Sequence, residues 1–479
     1  MGGDSSGGVG IRKALVIQFA SKYANVLVQL LLTAVLARIL SPSQYGTVAI
    51  VTVFTSFFSI LADVGVAPAV VQFKDLDDND LSGLLAFSAL LGAVSAFLFC
   101  LAAYPISLVY SDPSLINLCR FASLSIFFNS ADMVPNGILL RDKRFVSVGV
   151  RLLVTTIVSG VVAIFLAIAG FGAYSLVIQS VLLSVGVFAW NMASSHVKVG
   201  NIHFMPPLKR VLSYSLFQAG FTTVNYFSRN LDNMLIGSIE GASALGFYDK
   251  AYKLTTYPIS FLASIVGSVL QPYLSKYQND KEAMCEKWLS VAKLLSLLAA
   301  PVAALMICAS KELVMIMFGD QWGDAVPLFQ VLAVSVYFQV VNNPTGAIFQ
   351  SSGRTDYMFF HSLISTGMTL VLLLLGLFSG GVLGAAVGVS CAYCLHTISL
   401  LYFLVYRTLS ARPIAFAVHF LPEVFVAVVS CSLCLLLSGW FPEATFASLI
   451  AKGLVLVAAF GTGYVLTGQA TTLLSAIKK

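Results

Sequence analysis

Gln218, Thr222, Asn225, Arg229 and Asp232 recur at intervals of 4, 3, 4 and 3 residues in a segment that is otherwise apolar. At 3.6 residues per turn this spacing gathers them on one helix face. Subtracting 200 from the first four numbers gives Gln18, Lys22, Asn25 and Gln29, a second stripe with the same spacing. Lys250 and Lys253 follow the later stripe, three residues apart, with Tyr257 a turn further on. Lysine and arginine on a face otherwise lined by amides and hydroxyls suit the binding of an anion, because both offer charge and several donors to phosphate oxygens. Asp63, Asp132, Asp232 and Asp249 are the acidic groups in comparable apolar surroundings.

The elements that carry these residues are membrane helices. Of 479 residues, 58% are hydrophobic and 10% charged, where a soluble globular domain carries about 25% charged residues. Apolar runs of about 20 residues, each able to cross ~30 Å of hydrocarbon, recur about fourteen times. The fold class expected is an all-α polytopic membrane protein. Its spans run near Ala14–Ala37, Tyr45–Val71, Leu81–Tyr104, Leu115–Leu139, Val146–Ala169, Ala173–Ala193, Tyr214–Gly237, Gly246–Pro272, Trp288–Ala309, Ala325–Ile348, Tyr357–Leu377, Val382–Val405, Ala415–Leu437 and Phe446–Leu466.

The two stripes belong to an internal duplication. Gly46 and Gly246 close equivalent loops, and Asn79-Asp80 matches Asn279-Asp280. Asp112 with Asp320, Pro135 with Pro344 and Gly137 with Gly346 extend the correspondence. Two similar halves facing each other across a polar seam are a transporter architecture. The expected division is a flexible cytoplasmic lead (1–13), a lobe of six spans (14–194), a cytoplasmic linker (195–213), a second six-span lobe (214–406), and an extra helical hairpin with a cytoplasmic C-terminus (407–479).

An ionised group at the centre of a membrane helix costs about 2.5–3.5 kcal/mol on the insertion scale. Arg229 with Asp232, or Asp249 with Lys253, can pair along one helix. Two facing stripes would otherwise bury unpaired polar groups, so a water-filled, anion-accepting central cavity is expected between the lobes. Its substrate-binding residues are Lys22, Asn25, Arg229, Asp232, Lys250 and Lys253. Asp63, Asp132 and Asp232 are the candidates for coupling transport to an ion gradient, on their depth alone. Lys293 and Lys452 lie near span ends, where a long side chain snorkels to the interface.

Placing the N-terminus in the cytoplasm puts nearly all loop lysines and arginines inside, among them Arg141, Lys143, Arg144, Lys281, Arg354 and Arg407. The formal charge of +6 therefore reflects orientation in the membrane, with both termini cytoplasmic, and argues against a nucleic-acid partner. Cys391-x-x-Cys394 and Cys431-x-x-Cys434 mimic a metal site but fall inside apolar spans and read as small core residues. No metal, cofactor or catalytic residue is expected.

The segment LARILSPSQYGTVAIVTVFTSFFSILADVGVAPAVVQFKD resembles the N-terminal signature of the polysaccharide exporters, the Wzx-type flippases of lipid-linked oligosaccharides. RNLDNMLIGSIEGASALGFYDKAYKLTTYPI and VLQPYLSKYQND are similar to the same family's second-half signature. The wider superfamily also holds the MATE drug exporters and the lipid II flippases. The resemblance implies two lobes in a V-shaped fold, a bacterial inner-membrane location, and alternating access that carries undecaprenyl-pyrophosphate-linked sugar repeats to the periplasmic leaflet for O-antigen, capsule or exopolysaccharide. It implies a cationic cavity, to which Lys22, Arg229, Asp232, Lys250 and Lys253 are assigned. The expected partners are the polyprenyl-pyrophosphate-linked oligosaccharide, membrane lipid and the pathway's polymerase, with the chain itself a monomer. A MATE-like cation antiporter is the main alternative, disfavoured because the cavity leans basic. A membrane-embedded glycosyltransferase or ligase is the other, disfavoured because the loops are short.

Overall fold

The computed structural model describes residues 6–63, 65–73, 75–197, 226–227, 229–278, 280–441 and 444–471. Gln218, Thr222 and Asn225 of the later stripe and most of the expected 195–213 linker lie outside them, as does the side chain of Gln18. The described residues form helices and no strands. In chain order these are α1 (Ser6–Ile39), α2 (Pro42–Ala62), α3 (Val66–Gln72), α4 (Asp78–Val109), α5 (Ser114–Ala131), α6 (Met133–Arg141), α7 (Phe145–Ile168) and α8 (Ala173–Ser195). After helical residues 229–239 come α9 (Gly241–Leu274), α10 (Lys281–Cys308), α11 (Ser310–Phe318), α12 (Ala325–Asn342), α13 (Thr345–Ser351), α14 (Thr355–Leu400), α15 (Pro413–Val418), α16 (Leu421–Leu437) and α17 (Phe446–Leu466).

Helix starts are written into the chain. Ser41 and Gln44 close a capping box ahead of Pro42, and Asp77 with Asp80 does the same for α4. Each arrangement satisfies two amides that have no carbonyl partner within the helix. Asp280 caps α10 and Thr445 caps α17 through their side-chain oxygens.

Among the described residues, 10 helical segments are long and apolar enough to span a bilayer, and the chain is a multi-pass membrane protein. The difference from about fourteen has local causes. Residues Thr355–Thr408 hold two expected spans, folded back at Gly380 and Gly381, where Gly381 takes a left-handed φ of 58°. The two arms then meet closely: a Cβ on Gly376 would lie 2.1 Å from the Gly384 carbonyl oxygen. The fourth expected span is broken at Asp132 into α5 and α6. The eighth, within α9, carries Asp249, Lys250 and Lys253. The seventh lies only partly within the described residues.

The chain divides into two units, Met1–Gly246 and Phe247–Lys479. In the first, α4 packs on α5, α5 on α2 and α8, and α7 on α1 and α8. Leu84, Phe99, Leu115, Leu118 and Ile126 fill its core. In the second, α10 and α12 pack together, α14 lies against α12, and α16 and α17 lie on α10. Trp288 stacks on Phe416 with ring centroids 4.4 Å apart. Large apolar side chains such as Phe165, Leu436 and Trp440 stay exposed, as the lipid-facing surface of a membrane protein requires.

The broken span occurs in both units. Helices α5 and α12 each run 18 residues and are followed at once by a short helix, α6 or α13. Gly46 and Gly246 do not close loops. Both sit early in long helices, α2 and α9, which cross there. A Cβ on Gly46 would lie 1.6 Å from the Ala242 carbonyl oxygen, and one on Gly246 would lie 2.0 Å from that of Pro42. The four residues all belong to the first unit.

Lys293 and Lys452 do not snorkel. Lys452 Nζ lies 2.6 Å from Glu312 Oε1 and donates to the Cys308 carbonyl, while Ser448 donates to the same carboxylate. Lys293 Nζ lies 2.5 Å from Glu423 and donates to the His419 carbonyl. Both acids are buried. The expected appended hairpin is therefore held to α10 and α11 by two enclosed ion pairs.

Candidate functional site

In the first unit, the face of α2 that carries Thr52, Ser56 and Ser59 looks onto Ser125 and Asn129 of α5 and Ser180 of α8. Together with apolar neighbours such as Val51 and Leu176, they line a cavity of about 290 Å³. The hydroxyls of Thr52, Thr55 and Ser125 donate to Val48, Val51 and Ala122 carbonyls of their own helices, at 2.8, 2.7 and 2.6 Å. Their protons are spent on backbone, so these side chains turn acceptor oxygens to the cavity. Thr52, Asn129 and Ser180 are exposed, so the cavity opens to the surface. Among the described residues, no charged side chain lines it.

Asp132 sits where α5 breaks into α6 and is 9% exposed. Its Oδ1 accepts from Asn191 Nδ2 at 2.7 Å, and Asn191 Oδ1 accepts from the Arg151 guanidinium. Arg151 also donates to Asn136 at 3.4 Å, while its Nε has no partner among the described residues. A buried cation and a buried carboxylate are thus joined through one fully buried amide, drawn from α7, α8 and the α5–α6 break. Each charge offsets the cost of burying the other. Arg151 and Asn191 were not among the expected site residues.

Asp63 is exposed at the C-terminal cap of α2, where its Oδ1 accepts from the Gly65 amide at 2.9 Å. Asp232 is 8% exposed, and its Oδ1 accepts from the Asn233 amide. Asn25 is buried, with an Oδ1 that has no hydrogen-bond partner among the described residues, whereas Lys22 and Arg229 are exposed.

Lys250 and Lys253 belong to the second unit and occupy different surroundings. Lys250 is 4% exposed, with Nζ 5.9 Å from the centre of the Phe318 ring. Lys253 is exposed and bound to Asp249 at 2.8 Å, one helical turn away. Tyr248 and Tyr252 stack beside them, and Tyr252 shares a hydrogen bond with Tyr393 of α14. The structure thus joins Asp132 to a counter-charge and Lys253 to Asp249. The other expected binding residues are divided, with Lys22, Asn25, Arg229 and Asp232 in the first unit and Lys250 in the second.

The fold aligns with that of the lipid II flippase MurJ over 95% of this chain and 99% of that one, with a TM-score of 0.75 at 14% identity. A multidrug-resistance MATE transporter of the MOP superfamily aligns over 84% of this chain and 98% of that one, with a TM-score of 0.63 at 15% identity. The class is thereby defined as an all-helical membrane protein with the fold these transporters share. Within that class, the polysaccharide biosynthesis protein family model matches residues 35–327, and the chain belongs to that family. Among its relatives, the teichuronic acid biosynthesis protein TuaB of Bacillus subtilis (strain 168) is 28% identical over 390 residues, 80% of this chain and 79% of the relative.

Proposed function

We propose that this chain is a flippase that carries polyprenyl-pyrophosphate-linked oligosaccharides from the cytoplasmic to the periplasmic leaflet of a bacterial inner membrane, for assembly of a surface polysaccharide. The observation that carries the reading is the fold shared with a lipid II flippase over 95% of the chain. Membership of a polysaccharide biosynthesis family directs it toward glycan cargo.

The cationic groups give the head group its counter-charge. Lys250 is buried in α9, which also carries Asp249 and Lys253, and supplies a cation to the head group. The cations proposed to meet pyrophosphate are Lys22 and Arg229 of the first unit and Lys250 and Lys253 of the second, with Asn25 and Asp232 as polar companions in the first. The two units alternate access to the two leaflets, and the polyprenyl tail stays in lipid. The chain works as a monomer with both termini in the cytoplasm, and hands its cargo to the pathway's polymerase. An ion gradient drives turnover. Of the three candidate carboxylates, Asp132 is held in a buried network with Arg151, and Asp63 is the most exposed to solvent.

The test is the pool of polyprenyl-linked oligosaccharides in cells that have the chain, lack it, or carry Lys250→Ala or Arg229→Ala. The expected result is accumulation of repeat units in the deletion strain and in both variants. A normal pool combined with loss of drug tolerance would instead place the chain with the cation exporters.

A further inference from the structure

The cavity between α2, α5 and α8 has a chemistry unlike that of the cationic groups, and it calls for a different part of the cargo. We propose that it is a subsite for one neutral sugar ring of the lipid-linked oligosaccharide, separate from the residues that meet the pyrophosphate. The subsite rests on the flippase reading.

Among the described residues the lining carries no charge, which makes a poor home for a phosphate, since phosphate needs cationic or amide donors to replace its hydration. What the walls offer is hydrogen-bond acceptors. The oxygens of Thr52, Thr55 and Ser125 have given their protons to helix carbonyls and point lone pairs inward. Three further polar groups in the wall, the Ser59 and Ser180 hydroxyls and the Asn129 amide, have no protein partner among the described residues. A pyranose ring brings a rim of hydroxyl donors and acceptors that pairs with such a wall. Its C–H faces pack against apolar neighbours such as Val51 and Leu176. A volume of about 290 Å³ stands at the lower end of the ~300–1,000 Å³ range of small-molecule sites. That is room for one ring and not for a chain of them. The subsite would then read the identity of a single sugar while the cations hold the pyrophosphate common to every lipid-linked glycan.

The experiment measures binding of the full-length chain in lipid nanodiscs by native mass spectrometry. The probes are undecaprenyl pyrophosphate and its glucosyl, galactosyl and N-acetylglucosaminyl derivatives. The expected wild-type result is tighter binding of at least one glycosylated lipid than of the bare one by about tenfold, the size of two net hydrogen bonds. Ser56→Leu with Asn129→Leu fills the cavity and removes that advantage while leaving the bare lipid bound as before, which also shows that the variant is folded. Ser59→Ala with Ser180→Ala removes two unspent hydroxyls without adding bulk, and lowers the advantage severalfold. The subsite is overturned if no glycosylated lipid binds better than the bare one, or if the advantage survives both pairs of substitutions. Failure of the wild-type chain to bind even undecaprenyl pyrophosphate would overturn the flippase reading itself, and the subsite with it.

Discussion

Lys452 and Glu312 show how a single residue pair is priced inside this molecule. Both side chains are nearly withdrawn from solvent, at 10% and 2% exposure. Removing one partner of such a pair leaves a lone buried charge, which costs about 3–5 kcal/mol. Replacing both with neutral groups of similar size costs far less, because the desolvation of the two ions disappears with their attraction. Lys452→Met is therefore expected to lower the thermal unfolding midpoint in detergent markedly, and Glu312→Gln added to it should restore most of the loss. A double variant as unstable as the single one would mean that packing of the Lys452 stem, and not charge, holds α17 in place. The carboxylate Asp132 was legible in the sequence because it is the only charged residue between Arg120 and Arg141. Its partner Arg151 stands in an equally apolar run and was missed. The signal lay in pairing, since Asp132, Arg151 and Asn191 lie on three successive spans, and only helix packing shows that they meet. Glu312 was hidden for another reason: Ser310-Lys311-Glu312 follows the ninth span and reads as a connecting loop, whereas the chain there turns directly into α11.

At the scale of elements, the crossing of α2 with the start of α9 follows from two glycines. Gly46 faces the carbonyl of Ala242 and Gly246 faces that of Pro42, so each contact is the other's equivalent under the duplication. Small residues permit backbones to approach this closely in membrane helices. The prediction is a contrast between two substitutions. Gly46→Leu drives a side chain into a carbonyl and should cost at least the ~1–3 kcal/mol of ordinary overpacking, with loss of monodisperse protein on size-exclusion chromatography. Gly461→Ala in α17, where a Cβ meets nothing within 4 Å, should leave both yield and unfolding midpoint unchanged. Equal tolerance of the two would mean the helices do not cross at these glycines. The duplication itself was readable because equivalent positions kept their residue types. The meaning of its glycines was not, because Ser-Pro-Ser-Gln-Tyr-Gly and Gly-Ala-Ser-Ala-Leu-Gly look like turns until Ser41 is seen to cap a helix and Gly241 to begin one. The break between α5 and α6 was likewise unmarked, as Asp132 and Pro135 lie inside a single expected span with no turn-forming glycine before them.

For the whole molecule, composition and span length were enough for the class, since no other arrangement buries so little charge over so long a chain. The fold shared with a lipid II flippase and the polysaccharide biosynthesis family agree with the resemblance carried by the segments around Gly46 and Gly246. The sequence was weakest on which cations act together, because helical spacing places Lys250 and Lys253 on one face without saying that one is buried and the other is exposed and paired. The central claim is movement of a lipid-linked glycan across a bilayer, and its most direct measurement is made in proteoliposomes. Fluorescent undecaprenyl-pyrophosphate-linked repeat units, extracted from cells lacking the chain, are placed in both leaflets, and the outward-facing fraction is destroyed with a membrane-impermeant quencher. With the wild-type chain, essentially all fluorescence should become accessible, against about half in protein-free vesicles. Lys250→Ala should slow the protein-dependent phase at least tenfold, the loss of about 1.4 kcal/mol of binding or barrier lowering. Accessibility that stays at the protein-free level with correctly folded wild-type chain, with and without an imposed proton or sodium gradient, would contradict the flippase account.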